Sequence, residues 1–278
     1  MMHLRDLLKA EISDFREERL RLHKIFEDTF FIHTKYGGKQ TLKWYLAPYF
    51  LTCNLRGTFS GIDDLLNTYS RYWNANTDLD GLLFYCEVIA NVIYACSRCI
   101  GVWDKRAAEL KEQCLQNIDI ILDKTGYKFV TDDEGISSVV KKDALAFSVI
   151  EDIDDKVAAN AVLEYNRLDM KGDLGCKKGL LKQIGDFLEP TLQKRNTLTG
   201  KLFELADDVS FCLNSLDIRH NNKRGVHKKP LLDALTDAQL EKLYDDTYRS
   251  SLLLIEMLNQ DESHRRIESA RQQCKGTK

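Results

Sequence analysis

The stretch Ser215-Leu-Asp-Ile-Arg-His-Asn-Asn-Lys-Arg-Gly-Val-His-Lys-Lys-Pro230 lies between two amphipathic runs, and reading it as a helix end followed by a loop decides the fold class. Upstream, Leu202, Leu205, Val209, Cys212, Leu213 and Leu216 recur at helical spacing and form the face of a helix that delivers Arg219. Downstream, Thr236-Asp-Ala-Gln239 is a capping box, in which a hydroxyl and a side-chain amide satisfy each other's free backbone N–H groups. Leu240, Leu243, Tyr244, Thr247, Ser251, Leu254, Ile255 and Leu258 then mark a second helix, and the polar tail beyond Asn259 either extends it or frays. Between the two runs, bases, histidines and amides gather with no acid after Asp217.

The helical period reaches over most of the chain. Only three prolines (Pro48, Pro190, Pro230) occur in 278 residues, so long helices are permitted almost throughout. Leu8, Ile12, Phe15, Leu22, Ile25, Phe26 and Phe30 predict one long helix or two collinear ones, broken at Gly37-Gly38. The aromatic group Trp44, Tyr45, Tyr49 and Phe50 reads as core packing before it reads as a base-stacking platform. Helices follow through Ile62–Trp73, Leu79–Cys99 and Trp103–Leu122.

The period changes at Gly126. Tyr127–Val130 and Ile136–Val140 flank a five-residue turn, which predicts a short β-hairpin at about residues 127–140 that must lean on the helices. Helical spacing returns from Ala144, Glu189-Pro190 is expected to end one helix, and Met170 to Gly175 reads as a linker and candidate boundary. The expectation is an all-α chain with an inserted hairpin. It comprises a helical region over 1–140 and a helical region over 141–278 carrying the Arg/His segment, or one continuous domain.

The net charge of -3 gives no warrant for nucleic-acid binding by the whole chain, so only a local patch such as Arg219–Lys229 could supply it. The apolar window Leu79–Val102 contains Asp80, Glu87, Asn91, Ser97 and Arg98, which favours a buried helix over a membrane span. With no secretory h-region at the N-terminus, a cytoplasmic soluble protein is expected. The eight cysteines fall mostly in apolar stretches, and the single CxxC, Cys96-Ser-Arg-Cys99, has no second pair, so reduced thiols and no metal are expected. No Walker A loop, GxGxxG, HExxH, GxSxG or EF-hand loop is present, which weighs against the common nucleotide-dependent and zinc enzymes. Asp132–Glu134 and Asp152, Asp154 and Asp155 are read as solvated turns and helix starts.

If the chain performs chemistry, the basic segment is where it is expected. An arginine fixed at a helix end presents a fork to a phosphate, and a histidine beside it moves protons near neutral pH without a metal. Asn221 and Asn222 add short donors, and Gly225 allows a turn by which His227 could fold back toward Arg219. Such parts suit phosphodiester cleavage by a 2′-hydroxyl. The plainer alternative is a basic helix end that complements the helix dipole, followed by an exposed loop, and on spacing alone that is the commoner arrangement.

The run Asn214-Ser-Leu-Asp-Ile-Arg-His-Asn-Asn-Lys-Arg-Gly225, entered by an amphipathic helix and followed by a histidine and another helix, resembles the signature end of HEPN domains, in particular those of bacterial abortive-infection and phage-defence proteins. Lys171-Gly-Asp-Leu, Lys177-Lys-Gly-Leu-Leu and Leu188-Glu-Pro190 resemble the same group, and the likeness covers about residues 140–260. It implies a helical bundle that forms a homodimer, with two copies of an Arg-polar-His motif facing one cleft. It further implies a metal-independent endoribonuclease with no cofactor. Carried over, Arg219 is the motif arginine, His220 the polar residue after it and His227 the terminal histidine. Seven residues separate Arg219 from His227, longer than the usual pattern, so either His220 or His227 is the candidate acid/base.

The expectation is RNA cleavage in phage defence or toxin-like growth arrest. Arg219 would bind the scissile phosphate, Asn221 and Asn222 would orient the backbone, and Lys223 and Arg224 would hold flanking phosphates. An antitoxin or defence-system partner is also implied. The alternative is a non-catalytic helical sensor that docks RNA or a partner protein through Arg219–Lys229.

Overall fold

The computed structural model describes residues 12, 14–33, 35–75, 78–219, 232 and 234–275. Among them are ten α-helices and two two-stranded antiparallel hairpins, so the chain is mostly helical, as the spacing predicts. It divides into two compact units, Met1–Lys142 and Asp143–Lys278.

In the first unit, α1 (Phe15–His23) is capped by Asp14, whose carboxylate accepts from the Glu17 N–H, and it runs on as a π-helical turn over Lys24–Asp28. The predicted continuation to Phe30 does not occur: the chain becomes extended at Thr29 and forms β1 (Phe31–Ile32). β1 pairs with β2 (Lys39–Gln40), the two joined around Gly37 at φ +65°. Two-residue strands leave too little alternation to be read from sequence. Then come α2 (Leu42–Phe50), α3 (Ile62–Ala75), α4 (Leu79–Ser97) and α5 (Lys105–Thr125). Pro48 lies within α2.

Among the described residues α4 is the helix long and apolar enough to cross a membrane, yet 67% of its apolar window is buried within the protein, and it forms the centre of this unit. Glu87, Asn91 and Arg98, three of the polar residues of this window, have partners in the predicted hairpin, which is present as β3 (Tyr127–Thr131) paired with β4 (Ser137–Lys141). The Asn91 amide donates to the Ser137 carbonyl at 2.7 Å and accepts from the Ser137 N–H at 2.8 Å. The Glu87 carboxylate accepts from the Val139 N–H at 2.6 Å. At the turn, Arg98 donates to the carbonyls of Glu134 and Gly135, and a Cβ at Gly135, whose φ is +80°, would collide with that guanidinium.

The second unit holds α6 (Ala144–Asp152), α7 (Lys156–Tyr165), α8 (Leu174–Gln193), α9 (Gly200–Ser215) and α10 (Asp237–Lys275). Their apolar faces close on one core that includes Val149, Val162, Leu181, Ile184, Leu188, Val209, Leu213, Leu252 and Ile255. The predicted capping box forms in both directions at the start of α10: the Thr236 N–H donates to Gln239 at 3.0 Å and the Gln239 N–H to the Thr236 hydroxyl at 3.4 Å. The tail beyond Asn259 continues this helix to Lys275.

Two further expectations are corrected. α8 does not stop at Glu189-Pro190 but reaches Gln193, because Leu192 beyond the proline is buried in the core and holds the last turn in place. Met170 to Gly175 is not a boundary, since Met170 is buried, the Gly172 N–H donates to Glu241 at 2.7 Å, and the units part at Lys142/Asp143.

Asn91→Leu removes both partners of Ser137 and leaves a buried N–H and C=O unsatisfied. It should lower the unfolding free energy of the first unit by about 2–4 kcal/mol, read as a drop in urea midpoint; an unchanged midpoint would contradict this role for Asn91.

Candidate functional site

The site is built on one face of α8. Residues 177, 181, 184, 188 and 192 of this helix point into the core. Beside them Lys178, Lys182, Gly185 and Glu189, four and three residues apart, fall on an adjoining strip. α9 and the residues after it lie against that strip.

Gly185 sets the approach. A Cβ there would stand 3.0 and 3.1 Å from the methyl groups of Leu213, so the absent side chain lets α9 pack close. α9 then ends in a Schellman arrangement. The Ile218 N–H reaches back to the Leu213 carbonyl at 3.0 Å, and Leu213 and Ile218, the pair such an end brings together, are both buried. Asp217, at φ 56°, takes the left-handed position usually given to glycine. Aspartate tolerates that region better than most residues, and its carboxylate is tied to Lys178 of α8 at 3.3 Å. The next residue but one is Arg219, whose own N–H bonds the same Leu213 carbonyl at 3.1 Å.

The Arg219 backbone is thereby fixed by the helix end. Its side chain is 14% exposed, and Nη2 forms an ion pair with the Glu189 carboxylate, itself 34% exposed. That contact lies outside hydrogen-bond geometry, and neither Nε nor Nη2 has a hydrogen-bond partner among the described residues. Arg219 is the predicted site residue placed here; His220, Asn221, Asn222, Lys223, Arg224 and His227 lie outside the described residues. Of the two carried-over histidines, neither is therefore brought to or kept from Arg219.

Sequence reading did not single out Glu189, Lys178 or Gly185 as partners of this segment. A signal was present in their spacing along one strip of α8, but nothing local says which later residues cover it.

A second polar cluster lies in the same unit. Lys177 is 5% exposed and donates to Glu241 at 2.9 Å and Asp245 at 2.7 Å, while the Tyr165 hydroxyl donates to the same Asp245 oxygen at 2.9 Å. Tyr165 stacks on Tyr248 with centroids 4.1 Å apart. Burial, then the Asp245 charge, pushes the Tyr165 hydroxyl far above its ordinary range. The hydrogen bond from Lys177, followed by that from the Gly172 N–H, holds the Glu241 carboxyl below its ordinary value.

The first unit has its own titratable group. Glu27 accepts from Lys43 at 2.8 Å and pairs with His23 at 3.0 Å. The hydrogen bond with Glu27 raises the His23 pKa above the ordinary histidine value despite partial burial. Cys86, Cys96 and Cys114 are buried free thiols, and burial pushes Cys114 up to about 12. No cluster of three or more His, Cys, Asp or Glu side chains placed to hold a metal occurs among the described residues.

Comparison of the chain with protein-family models, with curated proteins and with solved structures gives no match.

Two outcomes are expected. Gly185→Val forces Leu213 away from α8 and should destabilise the second unit by about 1–3 kcal/mol, measured by thermal or urea unfolding. The depressed Glu241 pKa contributes stability that is complete above the ordinary carboxyl value of 4.5 and is lost as the pH falls through the lower folded value. Lys177→Met should therefore reduce the acid-side slope of stability against pH; parallel profiles for the two proteins would contradict this.

Proposed function

We propose that this chain is a metal-independent endoribonuclease of the HEPN type, working as a homodimer in the cytoplasm in phage defence or toxin-like growth arrest. The observation that supports it is the Arg219 guanidinium, carried on a closed helix end with an Nε that has no hydrogen-bond acceptor among the described residues. Fixed donors of this kind hold a phosphodiester and stabilise the extra negative charge of its pentacoordinate state.

In this reading a base, His220 or His227, takes the proton from a ribose 2′-hydroxyl. The 2′-oxygen bonds to phosphorus as the bond from phosphorus to the 5′-oxygen breaks, and an acid returns a proton to that departing oxygen. The products are a 2′,3′-cyclic phosphate and a 5′-hydroxyl. Asn221 and Asn222 orient the strand, and Lys223 and Arg224 hold neighbouring phosphates.

The ion pair of Arg219 with Glu189 favours a second reading. There the arginine is a structural member of the bundle, and the basic segment docks RNA or a partner protein without cutting it.

One experiment separates them. Purified protein is incubated with cellular RNA in EDTA, and fragment ends are mapped for wild type, Arg219→Ala and His220→Ala plus His227→Ala. The nuclease reading expects cyclic-phosphate ends from wild type and a loss of at least a hundredfold on removing either histidines or arginine, about 10²–10⁴ being the usual worth of a positioned acid/base. Steeply salt-dependent binding that leaves the RNA intact would instead support the docking module.

A further inference from the structure

The side edge of an arginine, Nε with the neighbouring Nη, grips two oxygens of one oxyanion in parallel. In Arg219 this edge is buried, and neither Nε nor Nη2 has a hydrogen-bond acceptor among the described residues. Glu189 meets Nη2 as a counter-charge and leaves Nε bare. The carboxylate thus takes the Nη2 end of the edge and not the Nε end, and a buried donor left open in this way disfavours the state that leaves it so.

Three further features define what can change. The Arg219 N–H is bonded to Leu213, and Asp217 is tied to Lys178, so an exchange of partners at the guanidinium does not require the backbone to move. Glu189 sits in the last turns of α8 with 34% of its side chain exposed, so it can swing outward to water. A phosphodiester placed on Arg219 would lie within a few ångströms of the Glu189 carboxylate, and two anions at that distance repel.

We infer that Glu189 is a stand-in anion for Arg219. It occupies the arginine in the absence of RNA and is displaced by one backbone phosphodiester, which takes both Nε and Nη2. The inference rests on the reading of Arg219 as a phosphate-binding residue and adds a regulator to it: RNA engagement at this position is an exchange of anions, with Glu189 setting its threshold. The acid excludes weakly held monoanions and admits a phosphate that neighbouring contacts already hold.

The test uses the full chain and a short 2′-O-methyl RNA, which binds but cannot be cut. Affinity is read by fluorescence anisotropy for wild type, Glu189→Gln, Arg219→Ala and the double variant, each checked for folding by thermal unfolding. Glu189→Gln should bind about tenfold more tightly than wild type, and the gain should vanish in the Arg219→Ala background. Unchanged or weaker binding by Glu189→Gln, or a gain that persists without Arg219, overturns the inference. If Glu189→Gln does not fold, Glu189→Ala is measured in its place, and failure of both to fold also overturns it, because the pair is then an obligatory structural contact. Cleavage of the matching RNA with free 2′-hydroxyls is scored alongside. Tighter binding by Glu189→Gln with no cleavage by any protein leaves the exchange standing and removes the nuclease reading. Cleavage by wild type with no gain in Glu189→Gln does the reverse.

Discussion

Lys177 has to be neutralised, and the second unit is arranged around that requirement. An ammonium that is 5% exposed costs far more than folding can spare unless carboxylates and hydrogen bonds surround it. Glu241 and Asp245 of α10 supply the charge, Tyr165 of α7 shares the Asp245 oxygen, and Gly172 ties the preceding turn to Glu241. Three helices and a turn thus converge on one nitrogen, which fixes the rotation of α8 about its own axis. Once Lys177 faces α10, the neighbouring strip with Lys178, Gly185 and Glu189 must face the end of α9.

That rotation connects packing to the candidate site. Gly185 admits Leu213, Leu213 provides the carbonyl that closes the helix end, and the closed end places Arg219. Lys178 and Glu189 engage Asp217 and Arg219 from points on either side of Gly185. The arginine is therefore held by the same helix that is locked through Lys177, and its geometry is a consequence of core formation.

The first unit applies the same logic with hydrogen bonds in place of charge. α4 is apolar enough that its polar residues stand out, and Asn91, Glu87 and Arg98 each bond to the backbone of the β3–β4 hairpin. A hairpin that could not persist alone is held because a buried helix carries its missing partners.

What the sequence determined by itself was local: the helical period, the Thr236–Gln239 capping box, the break to strand at Gly126, and Arg219 as the residue a helix end presents. Each depends on interactions a few residues apart, so composition and spacing suffice. The β1–β2 pairing and the continuation of α8 past Pro190 were not legible, because two-residue strands carry no pattern and the burial of Leu192 outweighs the missing proline N–H. The partners of Lys177 and of Arg219 were decided only in the tertiary structure. They lie on helices distant in sequence, and which carboxylate meets which cation depends on how apolar faces rotate to close the core.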